Sequence, residues 1–319
     1  MKRLLQALLL FVAAVILLPP LWFLAFPADP PPELPPAGTR VELSRGVALN
    51  VLERGSGPAV VMVHGLPGSG YDWRALSPEL AKRGRRAIAY DRVGYGRSDP
   101  RPDERYTLAA NTAELIALLE ALDLRDVTVV GWSYGGVMTM LATMGDPAPT
   151  SRIGRIVLVG TGGPDSPDAQ RPELPLAMAI MNSKPVLRWR VAVPVTGVTL
   201  MKALSEIAFS GQPQPDWWLA GLRGNFARWD TLMAYRGEMS GVPGPGEDDA
   251  EFSAQMIAVP TLILHGDNDQ LASIAIGRYL HSLIPNSNLF EYPGGSHMLP
   301  VTHAADVADR IAAFSAPSR

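Results

Sequence analysis

The sequence predicts an α/β protein: a mostly parallel central sheet flanked by helices, with a helical cap insertion. Three observations carry this. Short continuous apolar runs alternate with helical spacing through residues 59–159, as expected of strands buried on both faces and joined by crossover helices. The alternation breaks from about 160 to 249, where no comparable strand-like run occurs and Trp, Met and Pro accumulate. It resumes over 259–314 with two further strand–helix pairs.

The elements follow in order. Residues 41–51 hold strand-like stretches with a turn near 44–46, and 56–58 is a turn. Residues 59–63 form a buried strand. Helical spacing runs through Trp73, Leu76, Leu80 and Ala81 within 71–83 and stops at Gly84. Residues 86–90 are a strand; 107–122 are an amphipathic helix with Leu108, Leu115, Leu118, Leu119 and Leu122 on one side. A strand at 127–130, a helix at 136–144 and a strand at 153–159 complete the first half. The insertion carries helical stretches near 174–181, 198–209 and 217–239, and a Gly/Pro/acidic return at 242–249. Then come a strand at 259–264, a helix at 273–283, a short strand at 288–291 and a helix at 303–314. The resulting division is a core at 40–163 and 251–319 with the cap at 164–250.

Composition narrows the function. With 47% hydrophobic and 18% charged residues, the chain can bury a sizeable core and is not a disordered segment. The net charge of -3 and the lack of a basic run exclude the electrostatic footprint of a nucleic-acid binder. There is no cysteine, so disulfides and thiolate metal sites are excluded. The five histidines lack metal-ligand spacing, and neither a metal nor another cofactor is expected.

The N-terminus reads differently. Lys2 and Arg3 precede an uncharged apolar stretch at 4–26, which as a helix rising about 1.5 Å per residue would cross a bilayer core of about 30 Å. Residues 1–26 are therefore expected to be a membrane anchor or uncleaved signal. Positive charge on the short side places the body across the inner membrane, on the periplasmic face, as a single-pass protein. Pro19 and Pro20 would kink or end such a helix, and the shorter run before them has the length of a signal-peptide core, so a secreted or periplasmic form is the alternative. Phe23 and Phe26 stand where a cleavage site wants a small residue. Residues 27–39 form a proline-rich linker.

Four segments carry chemistry, each where a loop leaves a predicted strand, at the edge where open parallel sheets bind ligands. Gly131-Trp132-Ser133-Tyr134-Gly135 reads as a nucleophile elbow between strand and helix. Its glycines allow a sharp turn that lifts the Ser133 hydroxyl clear of the sheet. Asp269 follows the strand at 259–264, with Asp267 as its rival; His297 follows the strand near Leu289; and His64-Gly65-Leu66-Pro67 follows the strand at 59–63. A serine hydroxyl needs a histidine to take its proton, and the histidine needs a carboxylate to fix its tautomer. The backbone N–H groups of Leu66 and Tyr134 are the candidate donors to a developing oxyanion.

With these residues in register, the body resembles the α/β-hydrolase fold family, specifically its serine-nucleophile, cap-bearing members. Asp91-Arg92-Val93-Gly94-Tyr95-Gly96-Arg97-Ser98 matches the family's Asp-Arg-x-Gly-x-Gly-x-Ser segment, whose role is structural. The family's Gly-x-x-Asp spacing selects Asp269 as the orienting acid and leaves Asp267 to support the loop. The resemblance implies a serine hydrolase cleaving a carboxylic ester of an apolar or amphiphilic acyl substrate. Proline iminopeptidase-like activity is an alternative, with Glu206 and Asp216 available to hold an amine, as is carbon–carbon bond hydrolysis. The loop at 64–68 with Asp72-Trp73 resembles epoxide hydrolases and dehalogenases, but these carry aspartate at the elbow, so Ser133 implies altered chemistry. Haloperoxidase-like members keep a serine triad. A non-catalytic membrane-anchored binding protein is the remaining reading. The expected pocket is lined by Tyr134, Pro67, Trp217, Trp218, Phe226, Trp229 and Met298.

Overall fold

The computed structural model describes residues 36–315 apart from 44–45, 104, 145–147, 149, 164–203 and 241–252. Eight strands form one sheet: β1 (Thr39–Glu42), β2 (Ala48–Arg54), β3 (Ala59–Val63), β4 (Arg86–Tyr90), β5 (Val127–Trp132), β6 (Ile153–Val159), β7 (Thr261–Gly266) and β8 (Ser287–Tyr292). Their order is β1-β2-β4-β3-β5-β6-β7-β8. β2 runs antiparallel to both neighbours, and every pairing from β4 to β8 is parallel. The apolar runs lie at the centre. All six residues of β5 are buried, as are Val60, Val61, Met62 and Val63 of β3. Each fully buried valine contributes about 1.5–3 kcal/mol.

The helices are α1 (Leu76–Lys82), α2 (Leu108–Ala121), α3 (Tyr134–Leu141), α4 (Asp216–Phe226), α5 (Trp229–Ser240), α6 (Ile274–Leu283), α7 (Leu299–Thr302) and α8 (Ala304–Phe314). In α2 the leucine stripe faces the core: Leu115, Leu118 and Leu119 are fully buried, and the Thr107 hydroxyl caps the helix by accepting from the Ala110 N–H at 3.2 Å. The helical cap region lies between β6 and β7, with α4, α5 and a short helical stretch at 204–208 described. The expected helical stretch at 174–181, the start of that at 198–209 and the return at 242–249 fall outside the described residues.

Several boundaries differ from the expected ones for local reasons. The stretch 71–83 is a 3₁₀ turn at Gly70–Arg74 followed by α1. Pro78 has no N–H to bond back to Arg74, so one continuous α-helix cannot form there. β7 starts at Thr261, since Pro260 cannot donate to a ladder. The stretch 217–239 divides into α4 and α5, and α7 precedes the last helix.

The membrane expectation is corrected. No helix among the described residues is long and apolar enough to cross a membrane. The segment on which the anchor, the membrane partner and the single-pass inner-membrane placement rested, residues 1–26, lies outside the described residues, as do residues 27–35 of the linker.

Candidate active site

The loops leaving β3, β5, β7 and β8 meet at one edge of the sheet. Ser133 is the single residue between β5 and α3, with φ 55° and ψ -122°. A serine in that region is strained by about 1–3 kcal/mol and stays there only if its surroundings hold it. They do: its N–H donates to the Val159 carbonyl of β6 at 3.0 Å, and its own carbonyl accepts from the Gly136 N–H at 2.9 Å and the Thr161 hydroxyl at 3.2 Å. The flanking glycines serve close approach. A Cβ on Gly131 would stand 2.5 Å from the Gly135 carbonyl oxygen, and one on Gly135 would stand 2.2 Å from the Val63 carbonyl oxygen.

His297 and Asp269 are both buried, with His297 Nδ1 2.8 Å from Asp269 Oδ2. The other carboxylate oxygen accepts from the N–H groups of Leu271 at 2.9 Å and Ala272 at 2.8 Å. Burial works to raise the Asp269 pKa, but the charge and hydrogen bond of His297, with help from His265 and the Ala272 N–H, hold it below the usual carboxylate range. An ionised Asp269 only accepts, so the proton sits on Nδ1 and leaves Nε2 free to take another. The Trp132 indole donates to the His297 carbonyl at 3.0 Å and fixes that loop to the elbow. Asp267, the rival acid, is exposed, and its Oδ1 accepts from the Gly294 N–H at 2.6 Å. It braces the loop.

Ser133 and His297 share the wall of a cavity of about 180 Å³ with Gly65, Leu66, Pro67, Trp218 and Met298. An apolar cavity of about 150 Å³ holds one benzene-sized molecule, which sets the scale of the group that fits. Tyr134 opens α3, where the first N–H groups of a helix have no partner within it. Its side chain departs from expectation: it is off the cavity wall, buried against Arg92, whose guanidinium lies 5.0 Å from the ring centre. Trp217 and Trp229 are also absent from the wall, and Trp217 packs edge-on against Tyr71 with ring centres 5.9 Å apart. The side chain of Phe226 is outside the described atoms. Asp72, Ser205 and Tyr235 are wall residues with polar groups that were not in the expected pocket. The Ser205 hydroxyl accepts from the Trp218 indole at 2.9 Å, and the resemblance carried by the 64–68 loop with Asp72-Trp73 was the signal for Asp72.

Residues 58–304 match the sequence pattern of the alpha/beta hydrolase fold family. The chain belongs to that family. A non-heme chloroperoxidase of Burkholderia pyrrocinia is 31% identical over 265 residues, covering 79% of this chain and 90% of the relative. A 2-hydroxymuconate semialdehyde hydrolase of a Pseudomonas strain is 26% identical over 289 residues, 89% of this chain and 96% of the relative. Among solved structures, a bromoperoxidase from Bacillus anthracis aligns with a TM-score of 0.69 at 25% identity, covering 87% of this chain and 99% of its own. Other relatives are named as epoxide hydrolases, with local matches covering about a third of this chain. This alpha/beta hydrolase thus has the serine-hydrolase fold and a triad-like Ser/His/Asp arrangement, and its relatives span several chemistries.

Within the hydrolase, His64 is not a second base. Burial, reinforced by the Arg92 charge, holds it well below the usual histidine range. Its Nε2 accepts from the Arg92 N–H at 3.1 Å, so its Nδ1 donates to the Gly65 carbonyl at 2.9 Å. Asp72 is different. Burial raises its carboxyl to about 8, with nearby Asp91 adding to the rise, while the Ser69 N–H and Arg92 oppose it. Below that pH it is a neutral acid on the cavity wall. Ionisation would set a carboxylate against charge developing on a substrate oxygen, so activity should fall as pH rises above about 8. Its folded pKa is raised above the unfolded value of about 3.9. Stability should therefore decline as pH rises between the two, because the folded state holds the proton more tightly. Asp72→Asn should remove the activity loss above about 8, as read in pH–rate profiles, and the stability decline between about 4 and about 8, as read in thermal melts. An unaltered alkaline limb in the variant would assign it to another group.

Proposed function

We propose that this alpha/beta hydrolase cleaves a bond at a carbonyl carbon of a small, uncharged, apolar compound through an acyl-serine. The observation that carries the reading is the 2.8 Å His297–Asp269 pair on the same cavity as a strained, half-buried Ser133. Ser133 Oγ attacks the carbonyl while His297 Nε2 takes its proton. The oxyanion is met by the Leu66 and Tyr134 N–H groups. His297 returns the proton to the leaving group, and water then attacks the acyl-serine with His297 again as base. Epoxide opening by a carboxylate nucleophile does not fit, because the elbow presents a hydroxyl.

Two bonds are consistent with this chemistry. Among the described residues the cavity wall carries no Arg or Lys to hold a substrate carboxylate, which favours a neutral ester. The relatives favour the second reading, carbon–carbon bond hydrolysis, since they include the 2-hydroxymuconate semialdehyde and 2-hydroxy-6-oxo-2,4-heptadienoate hydrolases. A parallel assay of short p-nitrophenyl esters, an aromatic ring-cleavage dienone and a proline amide separates them. The neutral-substrate reading expects ester turnover to exceed dienone turnover. Dienone hydrolysis with no ester turnover would establish the second reading, and cleavage of the proline amide alone would remove both.

A further inference from the structure

The Asp-Arg segment reaches the chemistry through one peptide unit. The Gly65 carbonyl accepts from Arg92 Nη2 at 3.1 Å and from His64 Nδ1 at 2.9 Å. These two bonds fix the plane of the Gly65–Leu66 peptide. That peptide is trans, since the one cis bond at this loop is Leu66–Pro67. In a planar trans peptide the N–H points opposite to the C=O. With the carbonyl tied back to the guanidinium, the Leu66 N–H is turned the other way, and Leu66 is on the cavity wall beside Ser133. A hydrogen bond from a charged donor to the carbonyl also polarises the peptide and strengthens its N–H as a donor.

Arg92 is held by the cap. Glu238 of α5 grips the guanidinium with both oxygens, Oε1 on Nη1 and Oε2 on Nη2 at 3.3 Å. Tyr95 donates to Glu238 Oε2 at 2.5 Å, and Asn111 donates to Oε1 at 2.5 Å. Arg92 is 2% exposed and Glu238 is 1% exposed, so neither is a solvated surface pair. Tyr134, which supplies the other oxyanion donor, has its ring 5.0 Å from the same guanidinium and its hydroxyl 3.4 Å from Asn111 Nδ2. Arg92 is not on the cavity wall. It acts through the Gly65–Leu66 peptide.

We propose that Arg92 is a positioning residue for the oxyanion hole and that Glu238 is its anchor in the cap, so cap and oxyanion hole are set as one unit. This rests on the acyl-serine reading. The test uses two variants. Arg92→Lys keeps a charge opposite Glu238 but cannot supply the forked donor pattern. Arg92→Met with Glu238→Gln removes both charges, so no buried charge is left unpaired. Losing one oxyanion-hole donor costs about 10²–10³ in kcat, and misaiming one should cost about 10–100-fold. The expected result, in variants that retain the native circular dichroism and label stoichiometrically with a fluorophosphonate, is that drop in kcat with KM changed by less than about 3-fold. Affinity for phenylboronic acid, which forms a tetrahedral anion on the serine, should weaken in step with kcat. An unchanged kcat per labelled site in either folded variant overturns the proposal, as does a loss confined to KM. If the double variant does not fold, Arg92→Lys decides alone. Absence of labelling in the unmodified protein would instead sink the acyl-serine reading.

Discussion

Ser133→Ala should lower kcat by roughly 10⁴–10⁶-fold while leaving the melting temperature nearly unchanged. On the proposed acyl-serine route, the loss follows from removal of the atom that would bond to substrate. The intact fold follows from the backbone. Alanine at φ 55° carries the same strain as serine, and the bonds that hold the elbow, from the Ser133 N–H to Val159 and from Gly136 and Thr161 to the Ser133 carbonyl, are made by main-chain atoms of residue 133. Fluorophosphonate labelling should be complete in the unmodified protein and absent in the variant. Equal labelling of both would move the nucleophile elsewhere. Glycine at this position is the informative control, because it relieves the strain: Ser133→Gly should be as inactive as alanine and also more stable.

Asp269→Asn should cost about 10⁴-fold in kcat, and Asp267→Asn less than about 10-fold. Asparagine can keep the acceptor bonds to the Leu271 and Ala272 N–H groups, which lie at 2.9 and 2.8 Å, so the loop should survive. At the position of Oδ2 it would present an NH₂ group to His297. The imidazole would then accept at Nδ1 and carry its proton on Nε2, the atom that must receive the serine proton. Asp267 touches no such group; its Oδ1 serves the Gly294 N–H. Steady-state kinetics of both variants on one ester would settle the assignment, and the opposite ranking would exchange the two roles.

Much of this was legible in the sequence, for identifiable reasons. The strand at 59–63 is a continuous apolar run, and that at 127–130 is broken only by the buried Thr128, because both faces of the sheet are covered. The elbow is readable because Gly131 and Gly135 are demanded by local collisions with neighbouring backbone. What escaped is long-range or orientational. Trp217 and Trp218 are adjacent on α4, about 100° apart around the helix axis. Only the second reaches the cavity, and a helix with apolar residues on several sides does not announce which one. The partner of Arg92 could not be read because Glu238 lies in the cap, far along the chain, in a stretch whose sequence shows only helical spacing. The 3₁₀ turn before α1 was concealed by apolar spacing that fits either helix, although Pro78 was a visible reason for the break. The apolar N-terminal stretch met the length criterion for a span, yet no described helix does so.

The join between β6 and β7 has one more consequence. Ile156 to Val159 pair with Thr261 to Leu264, and the whole cap region lies between those two strands along the chain. Ser133 stands before the join, Asp269 and His297 after it. A chain that has assembled only β1 to β6 holds a nucleophile with no base, and closing a long loop carries an entropic cost before the pairing returns anything. The nucleophile and base proposed for this site thus come together only when β7 has paired with β6.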